Sequence, residues 1–211
     1  MLDIARGLIN NNLFPELIDQ AGRNFIELID FKVHLSKPEI NMIPYFFVKR
    51  DKPRMDTYFS EAFGSNGLFF STLKRDNQYE HVLSHLIEST TKGTRFATRR
   101  AILVIPHLIN EPSYPLGLVS IRVMPRFDGL NINLNFSYTW RTVESVIGFP
   151  YSIYGSVKFS EHIVSDLNSR ISECKETFSM ESVSYIAHSL HMFTDIYSQE
   201  IIRGIISDAS K

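Results

Sequence analysis

Trp140-Arg141-Thr142-Val143-Glu144-Ser145-Val146-Ile147-Gly148-Phe149-Pro150-Tyr151-Ser152 is the stretch on which the reading of this chain turns. It sets an arginine and a hydroxyl residue directly before an apolar segment expected to be helical. A Gly-x-Pro corner follows, and then a second helix that runs to about Arg170. A guanidinium forks two donors onto phosphate oxygens, a hydroxyl adds another, and a helix N-terminus supplies positive potential. Arg141 and Thr142 therefore read as a phosphate grip. The plainer alternative is a structural arginine paired with Glu144, three residues on.

Working outward, residues 152–171 form an amphipathic helix with Ile153, Val157, Ile163, Val164, Leu167 and Ile171 on its buried face. Residues 118–124 and 130–138 read as strands joined through Asp128-Gly129. In the second, Leu130, Ile132, Leu134, Phe136 and Tyr138 alternate with Asn131, Asn133, Asn135 and Ser137, the pattern of a one-sided antiparallel strand. The asparagine row is most simply a solvated face. Residues 101–105 are a buried-strand run entered by Arg99-Arg100. Residues 77–88 carry Tyr79, Val82, Leu83, Leu86 and Ile87 at helical spacing. His81 and His85 lie four apart there, but lack the glutamate of a zinc-protease motif and read as surface histidines.

Nearer the N-terminus, residues 2–20 read as one helix or two short ones, broken near Asn10 to Asn12 and Pro15. Residues 25–35 are strand-like and end at Lys37-Pro38. A short strand at 43–49 leads into a charged loop at 49–54 that contains Pro53. Residues 183–190 read as a strand, and 194–207 as a closing helix capped by Thr194 or Asp195. His188 and His191, three apart on that strand, point to opposite faces and read as structural rather than as a metal pair. The sum is an α+β fold: one domain over 1–211, a mixed sheet with helices on one face.

The chain has 211 residues, 44% of them hydrophobic, with 16 Phe and 9 Tyr, which is globular composition. A net charge of -1 gives no global basic field, so nucleic acid is not indicated. No charged segment followed by an apolar leader stands at the start, and no apolar run is long enough to span a bilayer. A soluble, cytoplasmic protein without membrane partners is expected. The single cysteine, Cys174, excludes an intramolecular disulfide and a multi-cysteine metal site, and reads as a small buried hydrophobe.

The opening stretch resembles the motif Gln-Arg-Ser-x-Asp-x-x-x-Gly-x-Pro-Phe-Asn of the thymidylate synthase and dCMP hydroxymethylase family. Arg141, Glu144, Gly148, Pro150, Tyr151 and Ser152 fall at its spacings without a gap. Three further blocks are similar. Thr98-Arg99-Arg100 enters the strand at 101–105, as the family's paired arginines do. Residues 115–142 match the two strands that lead to the phosphate-binding pair. Ala187 to Phe193 matches Asp-Thr-His-x-Tyr, with His191 on the histidine and Phe193 on the tyrosine. The blocks cover about the last half of the chain, and the part before them is short. The resemblance implies a homodimer with sheets packed face to face. In it, Arg99 and Arg100 of one subunit reach the phosphate held by Arg141 and Thr142 of the other. It also implies nucleotide contacts at Glu144, Ser152 and His191.

The departures matter as much. The family's Pro-Cys-His nucleophile triplet falls on Pro115-Leu116-Gly117, and no cysteine stands between Ala101 and Arg141. A thiolate must add to C6 of the pyrimidine to activate C5, and Leu116 cannot do so. The base-reading asparagine is Ser152, and the aspartate is Glu144, one methylene longer. The helical insert near the folate has no counterpart, so neither folate nor another cofactor or metal is expected, and no catalytic residue is assigned. The sequence thus favours a non-catalytic homologue that binds a pyrimidine nucleotide or related phosphorylated ligand, in a regulatory role or in complex with a protein partner. The alternatives are a folate-dependent C5 methyl- or hydroxymethyltransferase with another nucleophile, and a structural homologue whose site is filled by side chains such as Leu116 and Phe193.

Overall fold

The computed structural model describes residues 17–19, 21–39, 45–75, 77–91, 98–105, 116–172 and 175–197. The alternation of Ile132, Leu134, Phe136, Tyr138 and Trp140 builds strand β5 (Asn131–Glu144), and all five side chains are buried. Its antiparallel neighbour is β4 (Leu118–Asp128). The hairpin turn uses Gly129 at φ +59, a left-handed conformation that glycine adopts without Cβ strain. Leu130, expected as the first buried point of the strand, sits in that turn and is exposed, because the turn consumes it before the ladder begins.

The other strands are β1 (Leu17–Ile18), β2 (Asn24–Ser36), β3 (Ile102–Val104) and β6 (Thr177–Phe193). The sheet order is β1-β2-β6-β5-β4-β3, antiparallel except for the parallel pair β5 and β6. A parallel pair needs a long crossover. Helix α4 (Gly148–Arg170) supplies it and buries Ile153, Val157, Ile163 and Leu167 against the sheet. Helices α1 (Tyr45–Ala62), α2 (Leu68–Arg75) and α3 (Gln78–Thr91) complete the helical layer. Phe63, Phe69, Phe70, Tyr79 and Phe159 interlock there as a chain of ring contacts. Gly155 lets α4 approach α1 closely: a Cβ there would lie 2.8 Å from the Phe63 ring.

Several expectations are corrected. Residues 45–54, read as strand then loop, belong to α1, with Pro53 inside the helix. Met55, Ala62 and Phe63 are buried and Tyr58 and Phe59 pack on the core, a helical spacing that outweighs the proline. Helix α2 lies where no element was expected. Leu17 and Ile18 form a strand rather than the end of a helix, and Thr194 to Ile196 form a turn where a helix was to begin. Most of the remainder of those two terminal helices, and Cys174, lie outside the described residues.

One irregularity shapes the sheet near the site. On β5 the buried set runs through Tyr138 and Trp140, then slips to Val143, leaving Arg141 exposed. On β6 it runs through Tyr185 and Ala187, then slips to Leu190 and Met192, leaving His188 exposed. The β4 register shifts between Leu118 and Ser120, and on β2 Asp30 has φ 52. Four adjacent strands therefore change phase at one level. Such a slip bends a sheet and re-aims every side chain beyond it.

Candidate functional site

Arg141 and Thr142 stand in β5, ahead of any helix, which corrects their expected place at a helix N-terminus. Residues 145–147 form a turn, and α4 begins at Gly148. Glu144 closes that turn. Its Oε1 accepts the Val146 amide at 2.7 Å, and its Oε2 accepts those of Ile147 and Gly148 at 2.7 and 3.0 Å. The amides that a phosphate could have used are thus taken by a carboxylate, which also complements the helix dipole.

Beyond the phase slip, Thr142 points away from buried Val143 and meets His191, with Thr142 Oγ1 3.0 Å from His191 Nδ1. The strand registers place His191 between Glu144 on β5 and Glu27 on β2. Glu27 accepts the Ser189 hydroxyl at 2.7 Å. Phe25 and Phe193 meet the imidazole edge-on, at 6.2 and 5.0 Å between centroids. Burial lowers the His191 pKa most, and Arg141 lowers it further, against upward pulls from Glu144, Glu27 and Asp19. The ring is therefore neutral near pH 7, with one nitrogen donating and the other accepting.

Ser152 lies in a different setting. It is 2% exposed, its hydroxyl donates to the Phe149 carbonyl at 3.0 Å, and it lies 2.6 Å from the Tyr185 hydroxyl. Burial pushes the Tyr185 phenol well up, so this pair is neutral. Trp140 stacks on Tyr185, and Phe149 meets it edge-on. Ser156 and Ser160 continue a buried serine line along α4, ending on the Tyr138 hydroxyl at 2.9 Å. None of these bonds reaches Thr142, Glu144 or His191. Leu116 is half-buried and packs on the core, and a Cβ at Gly117 would lie 3.3 Å from the Thr142 carbonyl oxygen and 3.4 Å from the Trp140 ring. Among the described residues, Trp140 Nε1 and Ser145 Oγ are buried without a hydrogen-bond partner.

Arg99 and Arg100 are exposed beside β3. Thr98 Oγ1 accepts the Arg100 amide at 3.1 Å and meets His85 Nε2 at 2.7 Å. Ala101 bonds to Val123 on β4, whereas Arg141 bonds to Gly117. The six residue steps from Val123 back to Gly117 amount to about 20 Å at the rise of a strand. One chain therefore does not bring Arg99 and Arg100 to Arg141.

Sequence reasoning missed two participants. Glu27 is one. Arg23 is the other: its guanidinium lies 3.9 Å from the Phe193 ring centroid and forks onto Asp195 at 3.1 and 3.2 Å. Both depend on long-range strand pairing, and no local pattern marks them. His188 pairs with Asp30 at 2.8 Å, away from His191. His81 and His85 are parallel neighbours on α3, 6.4 Å apart. Among the described residues, no group of three or more His, Cys, Asp or Glu could hold a metal, and no helix is long and apolar enough to cross a membrane.

No protein-family model matches the sequence, and no curated protein matches it. Among solved structures, the chain is similar to the thymidylate synthase of T4 phage, with a TM-score of 0.61 and 14% identity over 95% of this chain and 78% of that one. At that identity the likeness speaks for architecture: the chain has a thymidylate synthase-like α+β fold, a six-stranded mixed sheet backed by helices.

Proposed function

We propose that this chain is a non-catalytic relative of thymidylate synthase that binds a pyrimidine nucleotide or related phosphorylated small molecule, in a regulatory or complex-forming role. The observation that carries this reading is the grouping of Thr142, His191 and Glu144 near exposed Arg141 at the end of β5. Arg141 forks onto phosphate oxygens. With its proton on Nδ1, His191 donates to Thr142, which leaves the hydroxyl proton for the phosphate. Glu144 holds the turn that follows them. A second copy of the chain, in a homodimer, brings Arg99 and Arg100 to close the site, since those residues lie about 20 Å from Arg141 within one chain.

Methyl transfer is not part of this reading. Leu116 offers no nucleophile, and the Ser152 hydroxyl is engaged with Tyr185 rather than with a base edge. The enzymatic alternative, a folate-dependent C5 transferase with a different nucleophile, predicts release of tritium from C5-labelled deoxyuridylate in the presence of methylene-tetrahydrofolate. Release above the buffer control would favour it.

Calorimetric titration of deoxyuridylate, deoxycytidylate and inorganic phosphate tests the phosphate grip. Arg141→Ala should weaken binding by roughly 1.5–3 kcal/mol, the range for a charged hydrogen bond. A second reading, a purely structural homologue with a filled site, draws on the Ser152 to Tyr185 contact and the Trp140 ring stacked over it. It prevails if no phosphate compound binds at millimolar concentration, or if Arg141→Ala binds as well as wild type. Light scattering at micromolar concentration should show a dimer.

A further inference from the structure

On one side the sheet ends at β3, and β4 uses only half of that strand's backbone groups. Leu103 pairs with Ile121, the Val123 amide donates to the Ala101 carbonyl, and the Ile105 amide donates to the Val119 carbonyl. Backbone groups alternate in direction along a strand, so those of Ile102 and Val104 aim away from β4, at the open edge. Such a row is a template for another strand. The two sides of the sheet meet this hazard differently. On β2, beyond the two residues that β1 covers, Asp30, Lys32 and His34 stand exposed as polar guards. On β3 the exposed side chains are aliphatic: Ile102 is 44% and Val104 43% exposed.

A side chain from the helical layer closes the β3 edge. Gln78, the first residue of α3, accepts the Val104 amide on its Oε1 at 2.8 Å and donates from its Nε2 to the Val104 carbonyl at 2.9 Å. A residue in a facing strand would exchange the same two bonds. The carboxamide is planar and offers both an acceptor and a donor, as a peptide group does. Gln78 therefore acts as a strand one residue long. It is anchored at its root, because α3 buries Tyr79, Val82, Leu83 and Leu86. The same helix holds the chain ahead of β3, where His85 Nε2 meets Thr98 Oγ1 at 2.7 Å. The Ile102 amide donates locally, to the Arg100 carbonyl at 2.9 Å.

We infer that Gln78 is an autoinhibitory plug, and that the edge it covers pairs with β3 of a second copy when the plug is removed. An antiparallel pairing centred on Leu103 is two-fold symmetric and so serves both copies alike. It sets Ile102 of one copy opposite Val104 of the other, and the outward groups of these two residues are those that exchange bonds. Exposed aliphatic side chains then meet each other, and Arg100 does not face its own equivalent. The inference goes beyond the phosphate reading and does not depend on it.

The test compares the full chain as wild type, Gln78→Ala, Gln78→Glu, and Gln78→Ala combined with Val104→Lys. Hydrogen exchange is read at the Val104 amide at the lowest working concentration, and particle mass by light scattering across micromolar concentrations. Losing two neutral hydrogen bonds should speed exchange at Val104 in Gln78→Ala by at least about 10-fold. As concentration rises, that variant should reach twice the wild-type mass. Gln78→Glu keeps an acceptor for the amide but sets an oxygen against the carbonyl, so it should associate at higher concentration than Gln78→Ala. Val104→Lys puts a charge on the edge and should return the double variant to the wild-type mass. Should Gln78→Ala lose its fold by circular dichroism, Gln78→Glu decides by the same two readings. Unchanged exchange at Val104, a mass that stays at the wild-type value, or association that survives Val104→Lys overturns the inference.

Discussion

Ser152 and Thr142 are both hydroxyl residues placed in the same motif, and they end in opposite circumstances. Ser152 is closed in between α4 and β6, bonded to the Tyr185 phenol among Trp140 and Phe149. Thr142 is half-buried, bonded to a neutral imidazole, and neighbours an exposed arginine. The difference comes from the phase slip at Arg141, which turns the end of β5 away from the aromatic core. The core side carries stability. The re-aimed side carries exposed and half-buried polar groups.

That division predicts which substitutions unfold the protein and which spare it. Phe136→Ala, at a fully buried position of β5, should cost about 3–5 kcal/mol of unfolding free energy in urea, the transfer and cavity terms for a large aromatic. A loss below about 1 kcal/mol would mean that the core side is loosely packed, and the contrast with Thr142 would collapse.

Glu144→Ala sits on the boundary. It removes three charge-assisted hydrogen bonds from the turn and from the start of α4, and should cost about 2 kcal/mol. Glu144→Gln should recover part of that, since one amide oxygen remains. If Glu144→Ala unfolds no more easily than wild type but weakens phosphate binding, its carboxylate serves the ligand rather than the turn.

Much of the fold was legible because its periods are clean. The alternation from Ile132 to Tyr138 fixed β5, and the stripe from Ile153 to Ile171 fixed most of α4. The end of β5 was misread for a physical reason. Once the buried set slips, Trp140, Val143 and Ile147 fall at spacings of three and four, which imitate a helix. Helix α1 was missed because an apolar run near Ile43 looks like a strand and Pro53 looks like a break, although Met55, Tyr58, Phe59 and Ala62 carry the helical spacing. Thr142 and His191 were nameable from the motif. Glu27 was not, because its place beside His191 exists only in the register of β2 on β6.

Tyr185→Phe probes the closed side more gently. The Ser152 hydroxyl keeps its bond to the Phe149 carbonyl, so only the partner at 2.6 Å is lost. A cost of about 1 kcal/mol is expected, the net worth of a neutral hydrogen bond. A cost above about 3 kcal/mol would show that the phenol organises the whole serine line from Ser152 to Tyr138.

The smallest expected effect is on the open side and depends on pH. Burial holds the His191 pKa below its ordinary value in the folded chain. Between that lowered value and the unfolded value near 6.5, the unfolded state binds more protons, so stability falls as pH drops through this window. Glu27 and Glu144 oppose the effect by favouring the imidazolium, which keeps it small. Urea unfolding of wild type and His191→Gln at pH 7.5 and 5.5 isolates it, since other titrating groups are common to both. Wild type should lose more stability on acidification than the variant. If it loses no more, the two carboxylates outweigh burial, the imidazole takes a proton readily in the folded state, and the polar side of β5 and β6 is more open to water than its half-buried side chains indicate.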